Sequence, residues 1–376
     1  MHRCGALFFL ITACSLLLSF GCSSEKDAVH IGGVYALTGK GASYGQWIRN
    51  AVELAVDEAN QSGGVNGRKI EVISEDTQSD PKTAVSAFEK LISLNKIVAA
   101  IGFITSSEAM ACVPVAERNQ VVMITPIAST PELRGAGKFV FRTRESGQGD
   151  SFRIAEHVYS HLGIHEAAIL YENAANAIGY RDAFIQRYEA LGGKITLNLT
   201  YDEGTTDFRP ILTRLKAEQP KAVYIPGIGK VLGRLLKQAK ELDITTQFFS
   251  SAGIEDPEIF KIAGDAATGV VFAAPAFSAD SSDPETKAFV EAYRSRFHDD
   301  PTVYAANAYD SAKMIIAALY AGGNTPSEIQ AYLQTVRDYP GVSGTITFDE
   351  FGEVRKPVIL KRIAGNAFVS ESSEEL

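Results

Sequence analysis

The sequence predicts an α/β protein folded as two doubly wound lobes, and three observations predict it. Short, β-rich apolar runs alternate with segments of helical period from Val29 to Ser250. That alternation restarts near Asp150, after a strand at Phe139–Thr143 that reads as an exit from the first block. The length of 376 residues corresponds to roughly two ordinary domains.

The elements follow in order. Val29–Tyr35 is a first strand, and Trp47–Gln61 is a helix with Ile48, Ala51, Val52, Ala55 and Ala59 on one face, ending at Gly63-Gly64. Lys69–Ser74 is the next strand, and Asp80-Pro81 caps a helix over Lys82–Leu94. Two short apolar runs, Ile97–Ile101 and Val121–Ile124, read as buried parallel strands. The second block has helix Ser151–Leu162, strand Ala167–Tyr171, helix Tyr180–Leu191, Gly192-Gly193 and strand Lys194–Leu199. It continues with helix Asp207–Glu218, strand Ala222–Ile225, helix Lys230–Leu242 and strand Gln247–Ser250. The helix–Gly-Gly–strand passages at Asn60–Ile73 and Ala190–Leu199 echo one another. Val270–Phe277 reads as a second crossing between lobes, and helices Pro284–Phe297, Val303–Ala321 and Pro326–Val336 follow it. Thr345–Phe348, the turn Asp349–Gly352 and strand Val358–Ile363 read as a hairpin-like tail.

Before the first strand lies a targeting segment over residues 1–21. A basic start at Arg3 precedes the apolar stretch Ala6–Phe20, which is too short to span a membrane and reads as a secretory signal. Gly21-Cys22 resembles a bacterial lipoprotein cleavage site, which makes Cys22 the lipidated residue of an exported protein. Loss of Arg3 leaves 35 basic against 45 acidic residues, so the net charge moves from -9 to -10. An acidic chain without Lys/Arg runs excludes a nucleic-acid surface. Cys112 would be the one cysteine left besides Cys22, and among Ala111, Val113 and Val115 it reads as a buried structural thiol.

Candidate site residues cluster between Lys96 and Leu133. Each of the two strands there runs into hydroxyls that open a helix: Thr105-Ser106-Ser107 after the first, Ser129-Thr130-Pro131 after the second. In an open α/β sheet these stand at the carboxyl ends of neighbouring strands, where such folds bind ligands. Hydroxyls with helix-start N–H groups suit a carboxylate or other anion. The same residues also have plain capping roles, because Thr105–Glu108 has the form of a capping box and Thr130-Pro131 that of an N-cap with Pro at N1.

Other chemistries find no support. Lys40 in the Gly39–Gly45 loop does not stand directly before the helix as a phosphate-loop lysine would. There is no G-x-S-x-G elbow. Of the six histidines only His157 and His161 share a helical face, and His165 lies past Gly163, so no metal set forms. The expectation is a protein that is not an enzyme and carries no cofactor and no metal. A DNA-binding regulator on such a fold would need a helix pair where the signal segment stands.

The chain after Cys22 resembles the periplasmic leucine/isoleucine/valine-binding family, the type I solute-binding proteins of ABC importers. The resemblance rests on Gly39–Gly45 with the Trp47 helix, Gly63–Gly67, Asp80-Pro81, Thr105-Ser106-Ser107 and Thr125–Leu133. Phe141-Arg142, Tyr304–Asp310 and Gly344–Val354 extend it. It implies two Rossmann-like lobes joined by three hinge crossings, near Thr143, Pro275 and Gly341. One lobe is then 22–143 plus 277–341, the other 144–276 plus 342–368, and 369–376 is a flexible tail. It implies that Ser106 and Ser129 grip a ligand carboxylate, that Tyr44 lies over the ligand, and that Thr105, Phe103, Ile104, Ile127 and Ala128 line the same wall. On the facing wall Ile178, Ile228 and Ala252 stand where relatives that hold amino acids carry aromatic or acidic residues. That departure points from an amino acid towards a small organic acid with a branched or aromatic body, with Glu255 or Asp150 as the remaining candidates for a counter-charge. The implied partners are a small-molecule ligand, an inner-membrane ABC permease and, through a lipid anchor, the membrane. The protein would be a monomer in the periplasm or on the outer face of the cell membrane. A sensor presenting its ligand to a membrane receptor would use the same trap.

Overall fold

A computed structural model describes residues 28–371. The expected signal segment, Cys22 and residues 372–376 lie outside the described residues. The first lobe holds β1 (Val29–Tyr35), α1 (Ala42–Gln61), β2 (Ile70–Asp76), α2 (Pro81–Ser93), β3 (Ala99–Gly102), α3 (Ser106–Asn119), β4 (Val122–Thr125) and β5 (Val140–Arg142). The second holds α4 (Gly147–Glu156), β6 (Glu166–Glu172), α5 (Ala175–Ala190), β7 (Lys194–Tyr201) and α6 (Arg209–Glu218). It continues through β8 (Ala222–Tyr224), α7 (Gly229–Glu241), β9 (Gln247–Ser251), α8 (Glu258–Ala263) and β10 (Val271–Pro275). The chain then supplies α9 (Pro284–Phe297), α10 (Val303–Tyr320), α11 (Pro326–Thr335), β11 (Tyr339–Gly341), β12 (Gly344–Ile346), β13 (Val358–Ala364) and β14 (Ala367–Ser370).

Within the described residues the first sheet runs β2-β1-β3-β4-β5, all parallel. The parallel part of the second runs β7-β6-β8-β9-β10, the same order one block later. The Gly-Gly echo in the sequence therefore belongs to a repeated topology. In each sheet the order reverses between the first and third strands of the block, which opens a crevice at their carboxyl ends.

Period-2 alternation explains why both sheets are covered on two faces. On β3, Ala99 and Ile101 join the core formed with α1 and α10, while Ala100 faces the core under α2 and α3. On β6, Ala168 and Leu170 face α6 and α7, and Ile169 and Tyr171 face α4 and α5. Helices α9, α10 and α11 return to the first lobe's core after β10.

Three expectations for the C-terminal region are corrected. The third crossing lies after Val354, not near Gly341. Ile346, Phe348 and Val354 bury against the first lobe's core, with Phe348 edge-on to Phe141 at 5.2 Å, so this apolar stretch stays with the first lobe. The Asp310 carboxylate accepts the N–H groups of Val342 and Ser343 and ties the turn between β11 and β12 to α10. The hairpin expected from 345 to 363 is split as a result: β12 pairs with β11, and β13 pairs with β10 and β14. Residues 369 and 370, placed in the flexible tail from the sequence, belong to β14.

Candidate functional site: the cleft between the lobes

The two crevices face one another across a cleft of about 680 Å³ including its open mouth. Loops after β1, β3 and β4 form one wall, and loops after β6, β8 and β9 form the other.

Tight backbone geometry sets the first wall. Phe103 takes a left-handed φ of 57°, turning the chain sharply out of β3. Its side chain goes into the core beneath, edge-on to Phe88 at 5.1 Å, and does not reach the cleft. Phe103 therefore shapes the wall instead of lining it as expected. Ile104, Thr105, Ser106 and Ser107 do line it. The Thr105 hydroxyl accepts the Glu108 N–H at 3.2 Å, and the Glu108 carboxylate accepts the Thr105 N–H at 2.7 Å, a complete capping box. Thr105 is thus largely occupied by capping, as the local pattern allowed. Ser106 is not. Its oxygen accepts the Thr130 N–H at 3.3 Å, joining the two hydroxyl clusters and leaving its proton to donate.

Ile127, Ala128 and Ser129 complete this wall, held by the Thr125 hydroxyl, which accepts the Ala128 N–H at 2.9 Å. The second cluster does not open a helix as the sequence suggested. Pro131–Leu133 is one 3₁₀ turn, because Gly135 and Gly137 follow directly and no apolar period sustains it. Tyr44 enters from α1 and donates its hydroxyl to the Gly253 carbonyl across the cleft at 2.7 Å. Its ring stands edge-on to Trp47 and Tyr304 at 5.2 and 5.4 Å.

The second wall differs from expectation at two of its three predicted positions. Ile228 lines the cleft. Ile178 does not: on α5 the cleft face carries Asn176 and Tyr180, four residues apart, and Ile178 midway between them turns into the second lobe's core. Ala252 is fully buried among Ile225, Leu232 and Ile254, while its neighbours Ser251 and Gly253 face the cleft. The Ser251 hydroxyl has no hydrogen-bond partner among the described residues.

Sequence reasoning missed Lys40, Arg144, Glu172, Asn176, Tyr180, Ser251 and Tyr304. Lys40 bridges the lobes, 3.6 Å from Glu172 and 2.7 Å from Glu203. Burial raises the pKa of Glu172 and Lys40 counters it. Arg144, in the first crossing, donates to Asp150 at 2.6 Å and to the Tyr180 hydroxyl at 2.9 Å. Desolvation works against its charge, but Asp150 together with Tyr180, Glu145 and Tyr304 outweighs this and holds its pKa well above the ordinary value. The charged pair Arg144-Glu145, unusual in an otherwise Ser/Gly-rich turn, was the available signal. The two alternative counter-charges are both engaged elsewhere. Asp150 holds Arg144, and Glu255 binds Lys361 at 2.6 Å; neither lines the cleft.

A two-lobed trap with hydroxyl donors on one wall and lobe-to-lobe contacts at Tyr44 and Lys40 defines a solute-binding protein. Residues 28–367 match the periplasmic binding protein family, and the chain belongs to it. It is 27% identical over 334 residues, 89% of each chain, to the leucine-, isoleucine-, valine-, threonine- and alanine-binding protein of Pseudomonas aeruginosa. It is 29% identical over 350 residues, 92% of each chain, to a Leu/Ile/Val-binding protein homolog of Brucella abortus. Among solved structures it resembles the branched-chain amino acid transporter substrate binding protein of Streptococcus pneumoniae in complex with isoleucine. That match has a TM-score of 0.86 and 27% identity, over 92% of this chain and 99% of the other. It also resembles an ABC transporter solute binding protein of Rhodopseudomonas palustris in complex with 3,4-dihydroxybenzoic acid. There the TM-score is 0.81 and the identity 25%, over 92% and 95% of the chains. The family is extracytoplasmic and binds small molecules. Among the described residues no helix is long and apolar enough to cross a membrane.

Proposed function

We propose that this protein is the solute-binding component of an ABC importer and that its ligand is a small carboxylic acid with an apolar or aromatic body and no ammonium group. One observation carries the ligand reading. Ser106 and Ser129 offer hydroxyls to a carboxylate, yet among the described residues the one carboxylate lining the cleft, Glu172, is already held by Lys40. An ammonium enclosed there without a counter-charge would cost several kcal/mol. Ile104, Ile127, Ala128 and Ile228 supply apolar walls for the body of the ligand. Relatives solved with isoleucine and with 3,4-dihydroxybenzoic acid bracket the choice, and the charge pattern favours the second type.

In this reading the closed cleft is the state a permease recognises, and ligand contacts to both walls shift the lobes towards it. Cys22 anchors a monomeric protein to the outer face of the cell membrane through lipid. A thermal-shift screen of the mature protein against amino acids, aliphatic acids and aromatic acids tests the reading. A true ligand at a hundredfold excess over Kd stabilises by about 2.7 kcal/mol. Strong shifts with leucine or valine and none with simple acids would overturn the acid assignment.

A further inference from the structure

Arg144 is the least exposed charged group at the cleft. It stands where the chain first crosses between lobes, its side chain is 1% exposed, and the residue nevertheless forms part of the cleft lining. The hydrogen bonds around it have a direction. One amino group donates to the Glu145 carbonyl at 2.7 Å, and the other is shared by Asp150 and Tyr180. Asp150 does not line the cleft, and Glu145 lines a separate cavity with Arg355 and Lys356. Arg144 therefore borders the ligand space while its counter-ion does not.

The Tyr180 hydroxyl connects this cation to the first wall. It accepts from Arg144, donates to Asp150 at 3.2 Å and approaches Ser129. Ser129 from the first lobe, Tyr180 from the second and Arg144 from the hinge thus converge on one end of the cleft. Lys40 cannot play the same part. It is bound at the mouth by Glu172 and by Glu203, whose side chain is 60% exposed.

We propose that Arg144 receives the ligand's carboxylate together with Ser106, Ser129 and Tyr180, and that it selects acids lacking an ammonium. This rests on the acid reading above and adds the residue that enforces it. A carboxylate there gains charge-assisted hydrogen bonds from groups on both lobes and the hinge, so binding and closure are coupled. An α-amino acid would bring its ammonium, one carbon from the carboxylate, against the guanidinium, and like charges at that range repel in a desolvated site.

The test uses isothermal titration of the mature protein with 4-methylpentanoate, benzoate and leucine. The first and last share a skeleton and differ in the ammonium. The variants are Arg144→Lys, Arg144→Gln and Arg144→Gln with Asp150→Asn. The double variant replaces a neutral ion pair with a neutral amide pair, so it stays informative should the single Gln variant fail to fold. The proposal expects the wild type to bind at least one acid in preference to leucine. The double variant should lose that acid about 10- to 100-fold at an unchanged melting temperature, and Arg144→Lys should recover most of the loss. A double variant within twofold of wild type for the acid, or a Lys variant as poor as the Gln one, overturns the role of Arg144 and leaves the acid reading standing. A wild type that prefers leucine, or binds neither acid, overturns the acid reading itself and with it the proposal.

Discussion

The two walls of the cleft are built by the same topology and differ in how their chemistry is delivered. The first wall is local. Ser106 and Ser129 sit one turn beyond adjacent strands, oriented by the Thr105–Glu108 capping box, the left-handed Phe103 and the Thr125 hydroxyl, all within a few residues of what they position. The second wall and the hinge are assembled from afar. Arg144, Asp150 and Tyr180 meet across 36 residues of sequence, and Tyr44 meets Gly253 across 209. In the function proposed above, the local wall offers its hydroxyls to the ligand's carboxylate, and Arg144 and Tyr180 from the long-range set join them and decide which acids are kept.

The comparison can be broken most forcefully on the local wall. Ser106→Ala with Ser129→Ala removes two hydroxyl donors to a charged group, each worth about 1.5–3 kcal/mol. Carboxylate affinity should fall by at least about 100-fold in a titration, while the unliganded melting temperature falls by only a few degrees as the Thr130 N–H loses its Ser106 partner. An unaffected double variant would remove the first wall from the site.

Acid sharpens the contrast between the lobes, because the second lobe buries a neutral histidine. Burial, with the nearby charges of His161 and Arg153, lowers the His157 pKa to about 4. The unfolded chain therefore takes up a proton below about pH 6.5 while the folded one does not. Stability is full above that pH and is lost as pH falls towards 4, by roughly 2–3 kcal/mol from this residue. Urea midpoints measured across that window should fall, and His157→Gln should flatten the fall. A variant with an unchanged slope would show that the loss lies elsewhere.

Closure is the next target. A Cβ at Gly179 on α5 would lie 2.6 Å from the Cδ of Pro131 in the other lobe. Gly179→Leu should penalise the closed form by about 1–3 kcal/mol and leave the separated lobes intact. Small-angle scattering with saturating ligand should then give the dimensions of the open protein. A closed profile would mean that α5 can yield. The smallest effect is expected at Tyr44→Phe, which deletes the hydroxyl bond to Gly253. It should weaken ligand affinity by about 1 kcal/mol, near fivefold, with no change in which acids bind.

The same division explains what could be read from the sequence. Strand and helix order, the capping box and the hydroxyl pair depend on short-range patterns, and they were legible. Phe103 was misassigned because its left-handed turn reverses the direction its side chain takes. Ile178 and Ala252 failed by one or two positions: on a helix or at a strand end, that shift moves a side chain from the cleft into the core. Lys40 and Tyr180 carry no local signature, and Arg144 only its charged pairing with Glu145, because their meaning comes from partners on other elements. The third crossing was drawn too early because Ile346 and Phe348 read as a tail strand, and only their burial against Phe141 assigns them to the first lobe.

The central claim is that this cleft keeps a carboxylate and refuses an ammonium. Incubating the mature protein with a soluble metabolite extract, removing unbound material, denaturing and analysing the released molecules by mass spectrometry tests it most directly. The expected result is enrichment of one or more carboxylic acids without an amine, lost in the Ser106→Ala, Ser129→Ala double variant. Enrichment of leucine, isoleucine or valine in place of such acids would contradict it.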